Sequence, residues 1–282
     1  MTFRTRFAPS PTGPLHLGHA YSALIAAQEA RAHGGEFLLR IEDIDQSRSR
    51  THWEDQIYDD LAWLGLSWPR PVIRQSERAK AYARAVAQLT DAGLTYPCIC
   101  RRADIEAAAG APQESVPQFG PDGRIYPGTC RARAFPETQD HAIRLNMAKA
   151  VKGLTELRFV ERGALFAGAH RLDAARLVET VGDIILVRKG MAASYHLAVV
   201  VDDADQGITQ VTRGADLWEA TKIHVLLQRL LGLSTPEYCH HDLIRDDAGK
   251  RLAKRDDARA IATYRADGAT PEDVIEMVGL TP

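Results

Sequence analysis

No run of apolar residues in this 282-residue chain approaches the roughly 20 that a bilayer-spanning helix needs. Nor does the N-terminus carry the apolar core of a secretory leader. Neither charge dominates, since 35 basic side chains stand against 37 acidic ones, for a formal net charge of −2. A protein that gripped nucleic acid chiefly by its phosphates would be more basic. Any RNA partner must therefore meet a local patch and be recognised by shape and bases. Cysteines are few, four in all, with two in Cys98-Ile99-Cys100. That suits a reducing compartment and a metal site better than a disulfide framework. These absences predict a soluble, cytoplasmic protein without a membrane partner. At 45% hydrophobic and 26% charged residues, the chain is ordinary for a globular protein and can bury one large domain with an insertion.

The stretch that organises the chain is Arg6-Phe7-Ala8-Pro9-Ser10-Pro11-Thr12-Gly13-Pro14-Leu15-His16-Leu17-Gly18-His19. It reads as a buried strand that breaks at its prolines, turns at Gly13 and then opens a helix. Prolines bar a helix before Pro14, and Leu17, Ala20, Tyr21, Leu24 and Ile25 follow at helical spacing. The turn delivers two imidazoles to a helix N-terminus, where unpaired N–H groups and the helix dipole favour phosphate. His16 and His19, three apart, can face one anion and donate to a developing negative charge. Gly18 leaves room for a base or ribose against the backbone. Considered alone, the same residues fit a solvated helix start.

The helix is expected over residues 17–33, ended by Gly34-Gly35, with a strand over 36–42. Strand, helix and strand with short joints predict a parallel crossover, the start of a nucleotide-binding α/β sheet. Glu42 lies at that strand's C-terminal end, where such sheets place ligands, although the residues alone slightly favour a capping or surface carboxylate. Residues 49–65 carry Trp53, Ile57, Leu61 and Leu64 at helical spacing, and 76–93 form a second helix with Ser76 as N-cap. From about residue 96 to 139 the composition changes, and the Gly/Pro-rich stretch 110–123 reads as one long loop. Cys98 and Cys100 precede that loop and Cys130 follows it, so three thiolates could close it on zinc. The fourth donor is open between Tyr126, His141 and water, with imidazole the more usual ligand. Cys239-His240-His241 is a rival cluster that lacks a second thiolate.

Short strands are expected over 142–147, 157–160 and 183–188. Residues 207–213 form a strand that ends in a Gly turn before a helix over 217–231. Arg213 then lies on the same sheet edge as Glu42 and the His pair. A guanidinium fork there can bind a carboxylate through two parallel hydrogen bonds, unless an ion pair with Asp216 or Asp202 occupies it. The last motif, Lys250-Arg251-Leu252-Ala253-Lys254-Arg255, follows a turn. An ammonium on a flexible loop can neutralise a leaving pyrophosphate. Helices are expected over 257–264 and 271–278.

Residues 16–19 resemble the His-Ile-Gly-His signature of the class I aminoacyl-tRNA synthetases, and residues 6–13 resemble its glutamyl branch. Residues 250–255 resemble the mobile Lys-Met-Ser-Lys-Ser loop, with Lys254 on the second lysine, Arg251 keeping the first charge and Ala253 losing a hydroxyl. The resemblance implies a Rossmann-like parallel sheet with an inserted zinc-containing α+β subdomain and no anticodon-binding domain. The expected parts are 1–95, first half of the catalytic domain; 96–190, an acceptor-type insertion with the zinc knot; 191–255, the second half with the loop; and 256–282, a helical tail. His16, His19 and Lys254 are implied as catalytic, and His16, Gly18, His19 and Lys254 as binding ATP with Mg²⁺. Arg6, Phe7, Ala8, Pro9, Ser10, Glu42, Tyr195 and Arg213 are implied to hold glutamate, Glu42 through the α-ammonium. Two cationic groups around one amino acid imply a dicarboxylate. The spacing Cys-x-Cys followed by Tyr-x-x-x-Cys resembles the zinc site of one synthetase-like subfamily, which favours Tyr126 as fourth ligand. That knot and the short chain resemble the glutamyl-queuosine tRNA(Asp) synthetases, which join glutamate to queuosine in the anticodon loop of tRNA(Asp). A compact glutamyl-tRNA synthetase that charges a 3′ end is the alternative, and a monomer is expected in either case.

Overall fold

The computed structural model of the chain describes residues 2–108, 118–133, 140–244 and 259–281. Strand β1 (Arg4–Phe7) enters the proline-broken turn, helix α1 (Leu17–Ala32) follows, and β2 (Glu36–Ile41) pairs with β1 in parallel. The two glycines after α1 are there for different reasons. Gly34 takes φ +59°, where a side chain is strained, and a Cβ on Gly35 would lie 2.3 Å from the Phe3 carbonyl oxygen. Helix α2 (Thr51–Trp63) buries Ile57 and Leu61, and β3 (Ile73–Arg74) adds to β2 in parallel. Helix α3 (Ala79–Asp91) turns Tyr82, Val86 and Leu89 inward. Ser76 is not its N-cap. It lies in a single 3₁₀ turn, where its backbone N–H and its hydroxyl donate to Asp43 at 2.8 and 2.6 Å.

The middle of the chain holds β4 (Thr95–Cys98), α4 (Arg102–Ala108), β5 (Phe119–Gly120), β6 (Gly123–Arg124) and β7 (Ala142–Leu145). Next come α5 (Met147–Ala150), β8 (Glu156–Glu161), β9 (Gly168–Asp173), α6 (Leu177–Thr180) and β10 (Ile185–Val187). Strands β4 and β10 flank β7 antiparallel. The stretch expected as one loop over 110–123 ends in the β5–β6 hairpin, and its residues 110–117 lie outside the described ones. The strand expected over 142–147 stops at Leu145 because Asn146 caps α5, accepting the Lys149 N–H at 3.1 Å.

Helix α7 (Tyr195–Asp205) is buried continuously from His196 to Asp203, so its sequence shows no amphipathic period. After it come β11 (Gln210–Gly214), α8 (Thr221–Leu231), β12 (Glu237–His241), α9 (Ile261–Ala266) and α10 (Pro271–Met277). Strands β11, β12 and β8 are parallel, and β9 closes that sheet antiparallel. Strand β11 also runs alongside β1: the Thr209 N–H donates to the Arg4 carbonyl at 2.9 Å, and the Thr5 and Thr212 hydroxyls are 3.2 Å apart. The C-terminal ends of β1, β2, β11 and β12 thus share one edge, the place where parallel α/β sheets bind ligands. Among the described residues, no helix is long and apolar enough to cross a membrane.

One buried carboxylate carries a stability cost. Asp60 on α2 is 2% exposed, and its Oδ2 has no hydrogen-bond partner. Burial raises its pKa to about 6. Because that folded value lies above the unfolded one, stability falls as pH rises through about 6. Asp60→Asn should raise stability by about 1–3 kcal/mol at pH above 7. The gain should vanish at acid pH, as read from urea unfolding midpoints at both pH values.

Candidate active site

His16 is the N-cap of α1 and His19 occupies the third helical position. Nδ1 of His16 accepts the Gly18 N–H at 3.1 Å, and Nδ1 of His19 accepts the His16 N–H at 3.1 Å. The rings lie against one another, tilted by 34°, with centroids 3.8 Å apart. The expectation that the backbone N–H groups themselves face an anion needs revision here, because the imidazoles take up those of His16 and Gly18. With Nδ1 accepting, a neutral ring carries its proton on Nε2, so each imidazole is set as an Nε2–H donor.

A cavity of about 360 Å³ lies at this sheet edge. Arg6, Phe7, Ala8, His16, Gly18, His19, Glu42, Tyr195 and Arg213 all line it, drawn from four separate stretches of the chain. Pro9 and Ser10 do not. Pro9 is buried behind the wall, and its carbonyl accepts the Glu42 N–H at 3.0 Å, bracing that residue; Ser10 is exposed. Lys254 and its loop lie outside the described residues, but their described flanks border the site. Leu243 and Ile244 line the cavity, and Ala260 bridges to His16. Tyr21, Ser22, Asp216 and His241 also line it. Sequence reasoning did not place them there, because they reach the site from the second turn of α1, from the turn after β11 and from the end of β12.

The two arginines differ in their partners. Arg6 is paired with Asp203, Nε to Oδ1 at 2.9 Å and Nη2 to Oδ2 at 3.2 Å, and its Nη1 donates to the Thr212 carbonyl at 3.2 Å. Arg213 pairs with neither Asp216 nor Asp202. Its Nε donates to His240 Nε2 at 3.0 Å, its Nη1 to His224 Nδ1 at 2.9 Å and its Nη2 to Thr221 Oγ1 at 2.8 Å. Among the described residues, no acidic side chain pairs with Arg213. Burial, reinforced by Arg213, keeps the His224 pKa well below the usual imidazole value, and burial lowers that of His240. Both therefore meet the guanidinium as neutral acceptors. Glu42 accepts from Arg40 Nη2 at 3.2 Å, yet burial raises its pKa against the pull of Arg40 and Arg6. A cation arriving beside Glu42 would be favoured.

Some distance along the chain, the sulfurs of Cys98, Cys100 and Cys130 lie within 4.8 Å of one another. The Tyr126 hydroxyl is 3.4 Å from Cys98 Sγ and 3.3 Å from Cys100 Sγ, and Cys100 and Cys130 sulfurs are 3.5 Å apart. The three spacings of 3.3–3.5 Å match edges of a tetrahedron with metal–ligand bonds of about 2.0–2.3 Å, and the sulfurs all lie within 4.8 Å of one another. Burial outweighs other effects in raising the Cys100 pKa to about 11, a cost that a bound cation would remove. His141 is not part of this cluster. Cys239-His240-His241 is not a second one. Successive β12 side chains alternate, His240 meeting Arg213 while His241 meets Ser22 at 2.8 Å.

The family described as "tRNA synthetases class I (E and Q), catalytic domain" matches residues 2–281. The chain belongs to that family. A glutamyl-Q tRNA(Asp) synthetase of Rhodobacter capsulatus is 56% identical over 283 residues, covering 98% of this chain and 99% of its own. A protein of the same name from Symbiobacterium thermophilum is 42% identical, covering 96% of this chain and 83% of its own. Among solved structures, a glutamate tRNA ligase from Elizabethkingia meningosepticum, in complex with its amino acid, matches with TM-score 0.76 at 29% identity. The match covers 99% of this chain and 60% of that one, so this chain spans three-fifths of that enzyme. A methionyl-tRNA synthetase of Mycobacterium tuberculosis, at TM-score 0.59 and 12% identity, shares the fold alone.

In parallel α/β sheets, the shared C-terminal edge of the strands is where ligands bind. Cys98, Cys100 and Cys130 sit in a small apolar cluster of their own with Tyr96 and Tyr126. Cys100→Ser should lower metal content per chain, measured by elemental analysis of the purified protein, from near one to near zero. The melting temperature should fall with it. Full metal retention would refute the four-donor site.

Proposed function

We propose that the chain activates L-glutamate with ATP and transfers it to queuosine in the anticodon loop of tRNA(Asp). The observation that carries this reading is Arg213: a buried guanidinium on the cavity wall, held by neutral acceptors. Opposite charges bind best where no internal counterion competes, so the site suits a ligand bearing a second carboxylate. Glutamine offers only a neutral amide there. The acceptor comes from the relatives, which are named for glutamyl-Q tRNA(Asp) synthesis and match this chain over nearly its whole length.

In the first step an α-carboxylate oxygen of glutamate attacks the α-phosphorus of ATP. The bond to pyrophosphate breaks, leaving glutamyl-adenylate. Position and charge do most of this work. His16 and His19 donate their Nε2 protons to the phosphorus-bound oxygens, and Gly18 lets the nucleotide approach. Glu42 takes the α-ammonium and Tyr195 lines the amino-acid end, with Arg213 on the side-chain carboxylate and Arg6, forked on Asp203, shaping the wall beside it. Lys254 neutralises the leaving pyrophosphate; the flanking residues Ile244 and Ala260 at the cavity and at His16 support that role. Mg²⁺, bound with ATP, offsets phosphate charge. In the second step a nucleoside hydroxyl attacks the acyl carbon, AMP leaves and an ester forms.

Zinc is the metal this reading assigns to Cys98, Cys100, Tyr126 and Cys130, closing residues 96–190 as an acceptor-type insertion. The catalytic halves would then be 1–95 and 191–255, with 256–282 as a tail. Cytoplasmic tRNA is the setting.

The deciding experiment incubates the protein with labelled glutamate, ATP, Mg²⁺ and total tRNA, then maps the label on tRNA fragments. Label should appear on the anticodon fragment and be absent when the tRNA lacks queuosine. Label at the 3′ end, or no transfer, would overturn the acceptor. Two variants separate the roles in glutamate-dependent pyrophosphate exchange. Arg213→Ala should raise the glutamate KM by about 10–100-fold, the loss of charged hydrogen bonds. Lys254→Ala should cut kcat by about 100-fold or more.

A further inference from the structure

We propose that Glu161–His240, hydrogen-bonded throughout, and Asp122–His196–His224, whose outer link is a charge contact, are two relays that position the Arg213 guanidinium for the substrate's side-chain carboxylate. The inference deepens, and rests on, the reading of that cavity as the glutamate site.

The direction of every bond follows from one fact. A guanidinium only donates, so each ring nitrogen facing Arg213 must carry a lone pair. Because His240 accepts through Nε2, its proton sits on Nδ1, which lies 2.6 Å from Glu161 Oε2. The other oxygen of Glu161 accepts the backbone N–H groups of His240 and Gly163 at 2.8 and 2.7 Å. That carboxylate is wholly buried, so its orientation is set on both oxygens. Gly163 is required by the close approach, since a Cβ there would lie 2.3 Å from the His240 carbonyl oxygen.

The second arm obeys the same logic. His224 accepts from Arg213 through Nδ1, so its Nε2–H donates to His196 Nδ1 at 3.0 Å. That leaves the His196 proton on Nε2, which faces the Asp122 carboxylate at 3.3 Å as a charge contact rather than an aligned hydrogen bond. Both arms therefore run one way, from guanidinium through neutral imidazole to carboxylate, with no conflict of tautomers. Asp122 lies between β5 and β6, four residues before Tyr126 of the cysteine cluster. The arm thus joins that segment to α7 and α8.

An imidazole spacer does what a direct carboxylate cannot. Asp203 neutralises Arg6 at contact distance. Glu161 and Asp122 instead stand one and two rings away from Arg213. They polarise the imidazoles into stronger acceptors without occupying the guanidinium as counterions. Arg213 is thereby fixed in orientation while its charge remains to be matched by a ligand. None of the five residues lines the cavity; they act through Arg213, as second partners act through a metal's histidine ligands.

The test combines tautomers with kinetics. In protein labelled with ¹⁵N and ¹³C at histidine, ring shifts should show His240 protonated on Nδ1 and His224 and His196 protonated on Nε2. Glu161→Gln presents an amide donor to His240 and should reverse its tautomer. In glutamate-dependent pyrophosphate exchange this variant should raise the glutamate KM at least tenfold. The ATP KM should stay within twofold and discrimination against glutamine should narrow. His196→Leu breaks the outer arm without touching Arg213 and should shift the glutamate KM in the same direction by a smaller factor. A cationic or Nε2-protonated His240 in the native protein would overturn the relay. So would an unchanged glutamate KM in both variants, or an ATP KM that rises in step. Native protein with the stated tautomers but no glutamate-dependent exchange would overturn the substrate reading instead, and the spectra keep the two failures apart.

Discussion

Asp203 receives two guanidinium groups from neighbouring strands. Arg6 of β1 meets it with a two-bond fork, and Arg40 of β2 donates to the same carboxylate at 2.7 Å. Burial pushes the Asp203 pKa up, but Arg6 and Arg40 hold it below the usual carboxylate range. Next to it, Asp202 accepts from Gln75 and Tyr82 and pairs with Arg78. One turn of α7 therefore pins the two strands of the first βαβ unit and the start of α3. Removing one partner from such a buried pair costs about 3–5 kcal/mol, since the other charge is left stranded. The cavity's shape depends on this joint, because α7 carries Tyr195 at one end and Asp203 near the other.

The same joint divides labour between the two arginines of the pocket. Arg6 is mostly committed to the fold, as its fork already holds a carboxylate. Arg213 is held by two rings, the Thr221 hydroxyl and the Leu217 carbonyl, all neutral, so its charge is left for the cavity. Glu42, braced by the Pro9 carbonyl, supplies the opposite sign a short way off. On the proposed reading, an amino acid with a second carboxylate would meet complementary charge at both ends, while an uncharged side chain would leave a buried cation unmatched.

At the nucleotide end, the helix N-terminus works differently from a phosphate-binding loop of bare N–H groups. The two imidazoles cap α1 through Nδ1 and present Nε2 in their place, which converts fixed backbone donors into ring donors that reach further into the cavity. That arrangement needs a histidine at the cap and another three residues on, and it explains why the pair is separated by Leu17, which is buried, and Gly18, which lines the cavity.

Local chemistry written in consecutive residues was legible in the sequence. The proline-broken turn, the His pair, the first βαβ unit, and the Cys-x-Cys and Tyr-x-x-x-Cys spacings all depend on near neighbours, and each is present in the fold. Helix α7 was not legible as a helix, because burial on every side erases its period, and the β5–β6 hairpin was hidden in Gly/Pro-rich sequence. Ser76 looked like a cap, but a carboxylate 33 residues away claimed it. Which partner each charged group would find was likewise open. From the sequence, Arg213 could pair with Asp216 or Asp202, and only the register of β11 against β12 sets it opposite His240. The sequence alone determined which donors and acceptors this protein carries and which stand close along the chain. The tertiary structure decided which of them meet, because hydrogen bonds between buried groups depend on strand register and helix packing.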